Sequence, residues 1–112
     1  MYTEERPWGT FTILEDTSKY KSKRIIVKPG QRLSYQSHEK RDELWIIVGG
    51  SAKVILDDVA HFLDYGENIV IEKKQKHRIE NIGEENVVFI EVQTGTYFGE
   101  DDIIRYQDDY NR

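Results

Sequence analysis

Hydrophobic residues occur along the chain in short runs, and residues that favour turns separate these runs about every ten positions. No stretch has the periodicity of a long amphipathic helix. Short runs at this spacing predict the strands of an all-β sandwich or barrel. The predicted strands are residues 11–14, 24–27, 33–38, 43–48, 52–56, 61–63, 68–71, 77–81 and 87–93.

The residues between the predicted strands have the backbone preferences of turns. The pair at 29–30 is Pro-Gly and favours a positive φ at Gly30, while the pairs at 49–50 and 57–58 favour tight hairpins. Closely spaced turns of this kind favour antiparallel pairing of strands. Since 112 residues is a common size for one hydrophobic core, we expect a single domain over residues 1–112.

The segment that begins at Gly99 differs from the rest of the chain. Its first residues are acidic, as in the first turn of a short helix, and two isoleucines and two tyrosines follow them. These apolar side chains favour docking over disorder. We expect a short helix or an ordered tail that lies across the barrel.

Composition excludes several classes of function. The chain has 16 Lys and Arg against 21 Asp and Glu, a net charge of −5 that argues against nucleic acid or an anionic membrane as the main partner. It has no cysteine, so any metal must be bound through nitrogen and oxygen. No apolar run approaches the length of a membrane span and the first residues do not resemble a signal peptide, so we expect a cytoplasmic location.

Four side chains at the starts and ends of predicted strands are candidate metal ligands. Strand alternation places Gln36 and His38 on one face. Glu43 opens a nearly continuous apolar strand, where a carboxylate is unusual unless another group pairs with it. His77 begins another predicted strand after a charged loop. His61 fits no such pattern, and we expect it at the surface.

The spacing of these residues resembles the two sequence motifs of the cupin family. Residues at the places of the first motif are Gly30, Gln36, His38, Glu43 and Gly50. Residues at the places of the second motif are Gly66, His77 and Asn81, while Glu72 and Lys74 replace a proline and a glycine. Two motifs in the right order are a stronger signal than either alone. The resemblance implies a cupin-type double-stranded β-helix, which is a jelly-roll barrel.

A narrower resemblance covers almost the whole chain. Residues 6–9, 27–30, 33–38, 77–81 and 90–103 are similar to the C-terminal cupin module of type II phosphomannose isomerases. In that family a glutamine replaces the first histidine of the cupin motif, as Gln36 does here. Its members are often bifunctional, with an N-terminal mannose-1-phosphate guanylyltransferase domain. These 112 residues contain no counterpart of that domain, so we do not carry its activity over.

The resemblance implies one divalent metal ion held by Gln36, His38, Glu43 and His77. One carboxylate and three neutral ligands leave positive charge on the ion and open positions for substrate oxygens or water. Zinc is our first expectation, and Mn, Fe, Co and Ni suit the same ligands. The implied reaction interconverts mannose 6-phosphate and fructose 6-phosphate through an enediol, whose developing oxygen charge a metal stabilises.

This reaction also needs a general base and cations for the phosphate of a phosphorylated hexose. Glu91 shares one face of an otherwise apolar strand with Phe89 and Gln93 and is our candidate base. The same pattern also fits the solvated face of an edge strand. The candidate phosphate contacts are Arg41, Arg24, Lys28 and Arg105, with a possible basic rim at residues 73–76.

Two other functions fit the same fold, because one scaffold hosts many chemistries. One is a non-catalytic, metal-binding cupin that binds a sugar or phosphosugar, and the other is a different cupin enzyme, such as a nucleotide-sugar epimerase or an oxygenase. Turnover of mannose 6-phosphate separates the isomerase from the binding protein. If Leu33 and Tyr35 face away from the cavity, they leave an apolar patch outside, which predicts a homodimer.

Overall fold

The structure is a computed structural model that describes residues 1–110, so the last two residues of the predicted domain lie outside it. Residues 1–110 form eleven β-strands and no helix. The strands are β1 (Tyr2–Arg6), β2 (Gly9–Asp16), β3 (Tyr20–Val27), β4 (Tyr35–Ser37), β5 (Arg41–Gly49), β6 (Ala52–Leu56), β7 (Val59–Leu63), β8 (Asn68–Ile71), β9 (His77–Glu80), β10 (Val87–Gly95) and β11 (Ile104–Gln107). This described part of the chain has no helix with the length and hydropathy needed to cross a membrane.

The strands form two sheets that enclose the core between them. One sheet has six strands in the order β1-β2-β3-β10-β5-β8, and the other has five in the order β11-β4-β9-β6-β7. All the strand pairings among the described residues are antiparallel. From β3 onwards the chain crosses repeatedly from one sheet to the other, as in a jelly roll. The predicted all-β antiparallel barrel is confirmed.

The inward face of the six-stranded sheet changes from apolar to polar along the barrel. Side chains of directly paired residues share one face of a sheet. The inward pairs between β3 and β10 are, in order, Val27 with Val87, Ile25 with Phe89, Lys23 with Glu91, and Lys21 with Gln93. All eight side chains are buried. One end of the barrel therefore holds the apolar core, and the other holds buried charged and amide groups.

The tight turns have the backbone conformations that their residues predict. Asp57 and Asp58 form the two-residue loop between β6 and β7, and both have positive φ, 47° and 68°, as a type I′ hairpin requires. Gly30 has a φ of 76°. At Gly50, with a φ of 70°, an added Cβ would lie 2.5 Å from the carbonyl oxygen of Asn86. No residue other than glycine fits that approach without movement of the backbone.

Two strands at the ends of the chain were not predicted. The sequence of β1 is polar and does not predict a strand. The segment is a strand because it pairs with β2 along its whole length. The tail beyond Gly99 contains β11, so the expected helix is wrong and the expected ordered tail is confirmed. β11 pairs with β4, and the hydroxyl of Tyr106 is hydrogen-bonded to that of Ser37 at 2.8 Å. The tail forms a strand because its backbone pairs with β4, which would otherwise be an edge strand with exposed N–H and C=O groups.

The predicted outward apolar patch is wrong. Leu33 packs against the core and lines the cavity inside the barrel. Tyr35 is only 9% exposed, and its hydroxyl donates a hydrogen bond to Asp58 at 2.7 Å. The exposed apolar side chains of the strands include Phe62 on β7 and Val70 on β8 instead. The homodimer stays a prediction that no longer rests on this patch.

Asn81 connects three backbone segments at the apolar end of the barrel. Its side-chain amide donates to the carbonyl oxygens of Val27 at 2.8 Å and Glu85 at 2.7 Å, and its Oδ1 accepts from the N–H of Gly83 at 3.0 Å. The residue is 2% exposed, and its bond to Val27 is buried, so water cannot replace that bond. The asparagine of the second motif therefore has a structural role.

Replacing Asn81 by alanine should lower the free energy of unfolding by about 2–4 kcal/mol, because it removes three hydrogen bonds, and the buried carbonyl group of Val27 loses this partner. Urea denaturation measures this loss. The matched control is Asn68→Ala at an exposed position of β8, which should change stability by less than about 0.5 kcal/mol. Equal losses in the two variants would contradict the role assigned to Asn81.

Candidate metal centre

Three of the predicted metal ligands meet between the two sheets at the polar end of the barrel. His38 directly follows β4, Glu43 lies on β5 and His77 begins β9. One side-chain donor atom from each lies within 4.8 Å of the others. The three residues are 3%, 2% and 1% exposed. Groups far apart in sequence therefore form one buried cluster.

The two imidazole rings are oriented by backbone carbonyls. Nδ1 of His38 donates to the carbonyl oxygen of Asp102 at 2.7 Å, and Nδ1 of His77 donates to that of Gln75 at 2.9 Å. A carbonyl oxygen only accepts, so each Nδ1 carries the proton and each Nε2 presents its lone pair. The Nε2 atoms lie 3.3 and 3.8 Å from carboxylate oxygens of Glu43. Hydrogen bonds of this kind hold histidine in the tautomer that binds metals.

The charge state of the two rings also fits a metal ion. Burial lowers the pKa of His38 to about 4, helped by the charge of Arg41, and burial lowers the pKa of His77 to about 4. Both imidazoles are therefore neutral near pH 7, which is the form that binds metals. Nε2 of His77 is buried and has no hydrogen-bond partner. A small cation between these groups would satisfy this lone pair, so the residues present fit a divalent ion.

Arg41 already places a cation against two of the candidate ligands. Its Nε donates to Glu43 Oε2 at 2.8 Å, and its Nη2 donates to His38 Nε2 at 3.2 Å. Arg41 is only 4% exposed. Because Nε2 of a neutral imidazole has one lone pair, it cannot bind a metal ion and accept from Arg41 at once. Binding of an ion by His38 therefore requires the guanidinium to turn away.

Gln36 lies beside this cluster. It is the direct partner of His77 in the pairing of β4 with β9, so the two side chains share a face of the sheet. Its Oε1 accepts from the hydroxyl of Ser34 at 3.2 Å, and the residue lines the cavity. The structure thus places all four predicted ligands in one region, and metal binding by them stays a prediction.

The loop before β9 supports the loop that carries His38. The N–H of Lys74 donates to the carbonyl oxygen of His38 at 2.7 Å. Lys74 has a φ of 71°, in the left-handed region, at the place where the cupin motif has glycine. The backbone shape of the motif is therefore kept although the side chain differs.

Glu91 lies on an inner strand, so the edge-strand alternative for it is wrong. It is 6% exposed and accepts from Nε1 of Trp45 at 3.1 Å and from the amide of Gln93 at 2.6 Å. The same N–H of Trp45 also donates to Glu43 at 2.9 Å. Burial, followed by the charge of Glu43, raises the pKa of Glu91 to about 7. A carboxyl group with this pKa both accepts and releases a proton near neutral pH.

A cavity of about 170 Å³ opens beside the cluster. Its lining includes the aromatic rings of Trp8 and Phe11 as well as Gln36 and Glu91. Two of the predicted phosphate contacts, Arg41 and Arg105, also line it. Arg105 reaches the cavity because β11 pairs with β4, which places it opposite Gln36. The cavity therefore combines apolar surfaces, a carboxyl group and cations.

The other two predicted phosphate contacts lie away from the cavity. Arg24 is exposed because it alternates along β3 with the inward-facing Lys23 and Ile25, and Lys28 is exposed in the turn after that strand. The structure places Lys23 at the cavity instead. No local signal identified Lys23, because the face of β3 that points inward follows from its pairing with β10. The lysines of the loop before β9 do not line the cavity either.

The family described as mannose-6-phosphate isomerase C-terminal matches residues 2–108. The chain belongs to this family. A mannose-1-phosphate guanylyltransferase of Salmonella montevideo is 43% identical over 107 residues, which cover 96% of this chain and 23% of that protein. The alginate biosynthesis protein AlgA of Pseudomonas aeruginosa is also 43% identical over 107 residues, covering 96% of this chain and 22% of AlgA. This chain therefore spans less than a quarter of the length of these two relatives.

Comparison of structures supports the fold of this member of the mannose-6-phosphate isomerase C-terminal family. An uncharacterized conserved protein with a double-stranded β-helix domain from Klebsiella pneumoniae superposes with a TM-score of 0.75 at 19% sequence identity. The match covers 83% of this chain and 75% of that one. The expected double-stranded β-helix is confirmed, and at this identity the likeness concerns the fold alone.

Zinc titration of the metal-free protein tests the candidate centre. We expect one zinc ion to bind, and His38→Ala and His77→Ala should each weaken binding by roughly 100-fold, because each removes a direct ligand. His61→Ala is the matched control, since His61 lies on β7 outside the cluster. Isothermal titration calorimetry measures the affinities. Similar zinc affinities in all three variants and the unchanged protein would contradict the site.

Proposed function

We propose that this domain is a metal-dependent isomerase that interconverts mannose 6-phosphate and fructose 6-phosphate. The observation that carries the proposal is a buried His-Glu-His cluster beside a cavity that Glu91 and several cations line. The family match over residues 2–108 supports the choice of substrate. The cytoplasmic location and the homodimer expected from the sequence belong to the same proposal.

Gln36, His38, Glu43 and His77 would together hold the divalent ion. When bound, the ion would polarise the substrate carbonyl and stabilise the negative charge that develops on the substrate oxygens. Binding of the ion by His38 would require Arg41 to leave that ring, and the guanidinium would become available to the cavity, which it already lines. The arginine would then add positive charge on the substrate side of the centre.

Glu91 is the group that moves the proton between carbon atoms. Its carboxylate removes the proton from C2 of the open-chain aldose, and the electrons of the broken C–H bond form the double bond of the enediol. Delivery of a proton from Glu91 to C1, with movement of the hydroxyl proton from O2 to O1, completes the ketose. The N–H groups of Trp45 and Gln93 hold the carboxylate in place during both transfers.

An isomerase assay on metal-free and metal-reconstituted protein tests this function. We expect turnover of mannose 6-phosphate only after addition of a divalent ion, with zinc, manganese, cobalt, nickel and iron(II) compared in parallel. Binding of mannose 6-phosphate without turnover under all these conditions would contradict the isomerase and favour a non-catalytic binding protein. Activity that requires both iron(II) and oxygen would favour an oxygenase.

A glutamine at position 91 tests the assigned base. Glu91→Gln should lower kcat by roughly 100-fold to 10,000-fold, because proton transfer loses its acceptor. The zinc affinity, measured by calorimetry, should stay within about twofold, since Glu91 is not among the proposed ligands. Glu80→Gln is the matched control, because Glu80 pairs with Arg32 and Lys53 and does not line the cavity. Normal turnover by Glu91→Gln would remove Glu91 from the mechanism.

A further inference from the structure

A buried ammonium group in the cavity is neutralised by an exposed carboxylate. Nζ of Lys23 lies 2.6 Å from Oε1 of Glu100, and Nζ of Lys21 lies 4.0 Å from the same oxygen. The side chain of Lys23 is 8% exposed, whereas that of Glu100 is 57% exposed. Lys23 also lies over the ring of Phe11, 4.8 Å from its centroid. The cation thus belongs to the cavity wall, while its partner lies at the mouth.

The segment that carries Glu100 is fixed at another residue. The carboxylate of Asp102 accepts from the N–H groups of Glu39 and Lys40 at 3.1 and 3.0 Å, and its carbonyl oxygen accepts from His38. Among the described residues, the ion-pair partners of Glu100 are Lys23 and Lys21 alone. The side chain of Glu100 can therefore leave the cavity without detaching its segment from the barrel.

Charges around the cavity favour the exchange of Glu100 for a more highly charged anion. Lys23, Arg41 and Arg105 line the cavity, and Glu100 sits among them. Burial alone would raise the pKa of Glu100, but the charges of Lys23 and Arg41 outweigh it and lower the pKa. A full negative charge therefore occupies this position at neutral pH. A phosphate group has more charge and more acceptor oxygens than a carboxylate.

We propose that Lys23 anchors the phosphate group of the substrate and that Glu100 is an internal competitor, which occupies the anchor until a phosphorylated sugar displaces it. The proposal rests on the proposed function for the identity of the sugar. An unphosphorylated hexose cannot replace the charge of Glu100 at Lys23. Glu100 therefore favours the binding of phosphorylated over neutral sugars, because only a charged ligand displaces it from Lys23.

Binding of inorganic phosphate and of mannose 6-phosphate to the metal-free full chain, measured by isothermal titration calorimetry, tests the proposal. Glu100→Gln should tighten the binding of both ligands by roughly tenfold, because it removes a competing charge-assisted bond. Lys23→Met should weaken the binding of both ligands by roughly tenfold or more, because it removes the cation to which the phosphate group binds. Asp101→Asn is the matched control. It removes the same charge at the next residue, where the carboxylate contacts Tyr97 and not Lys23.

Equal effects of Glu100→Gln and Asp101→Asn would overturn the proposal, because general electrostatics would then explain the change. Unchanged phosphate affinity in Lys23→Met would also overturn it. Glu100 is largely exposed and a glutamine there can still accept a hydrogen bond from Lys23, so Glu100→Gln decides the question even if Lys23→Met is unstable. Tighter phosphate binding by Glu100→Gln in a protein without isomerase turnover would contradict the proposed function alone. Isomerase turnover together with unaltered phosphate binding in Glu100→Gln and Lys23→Met would contradict the role of Lys23 as anchor alone.

Discussion

The buried carboxylate of Glu43 is the interaction around which the polar end of the barrel is organised. Burying a carboxylate costs several kcal/mol unless cations and hydrogen-bond donors surround it. Here Arg41 and Trp45 donate to Glu43, and Nε2 atoms of His38 and His77 face it. Because two backbone carbonyls hold the imidazole protons on the far side of each ring, the electron-rich atoms converge on one point. A cation is the species that such a point favours.

The register of the six-stranded sheet fixes the distance between this cluster and the proposed base. In the pairing of β5 with β10, Trp45 lies opposite Glu91, and Glu43 lies opposite Gln93. One N–H of Trp45 therefore donates to both carboxyl groups at once. A shift of the register by one residue would turn one of the two carboxyl groups out of the barrel. Ligand and base are thus placed by the same hydrogen-bonded ladder that builds the core.

Strand alternation and motif spacing predicted the fold and most of the central cluster, because both depend on local order along the chain. Residues near each other in sequence proved a poor guide to the cavity wall. Arg24 lies beside the first motif but points outward, and its neighbour Lys23 points inward. Which face of β3 is inside depends on its pairing with β10, which the local sequence does not show. β11 was missed for the same reason, since pairing with β4 determines its conformation.

The position of a bound divalent ion tests the central claim most directly, and anomalous X-ray scattering from crystals of the metal-loaded protein locates it. The account predicts one ion about 2.0–2.2 Å from Nε2 of His38, Nε2 of His77 and the carboxylate of Glu43, with Gln36 completing the protein ligands. It also predicts that Arg41 has turned away from His38. An ion bound elsewhere, or Arg41 still bonded to His38 and Glu43 in a metal-loaded crystal, would contradict the account.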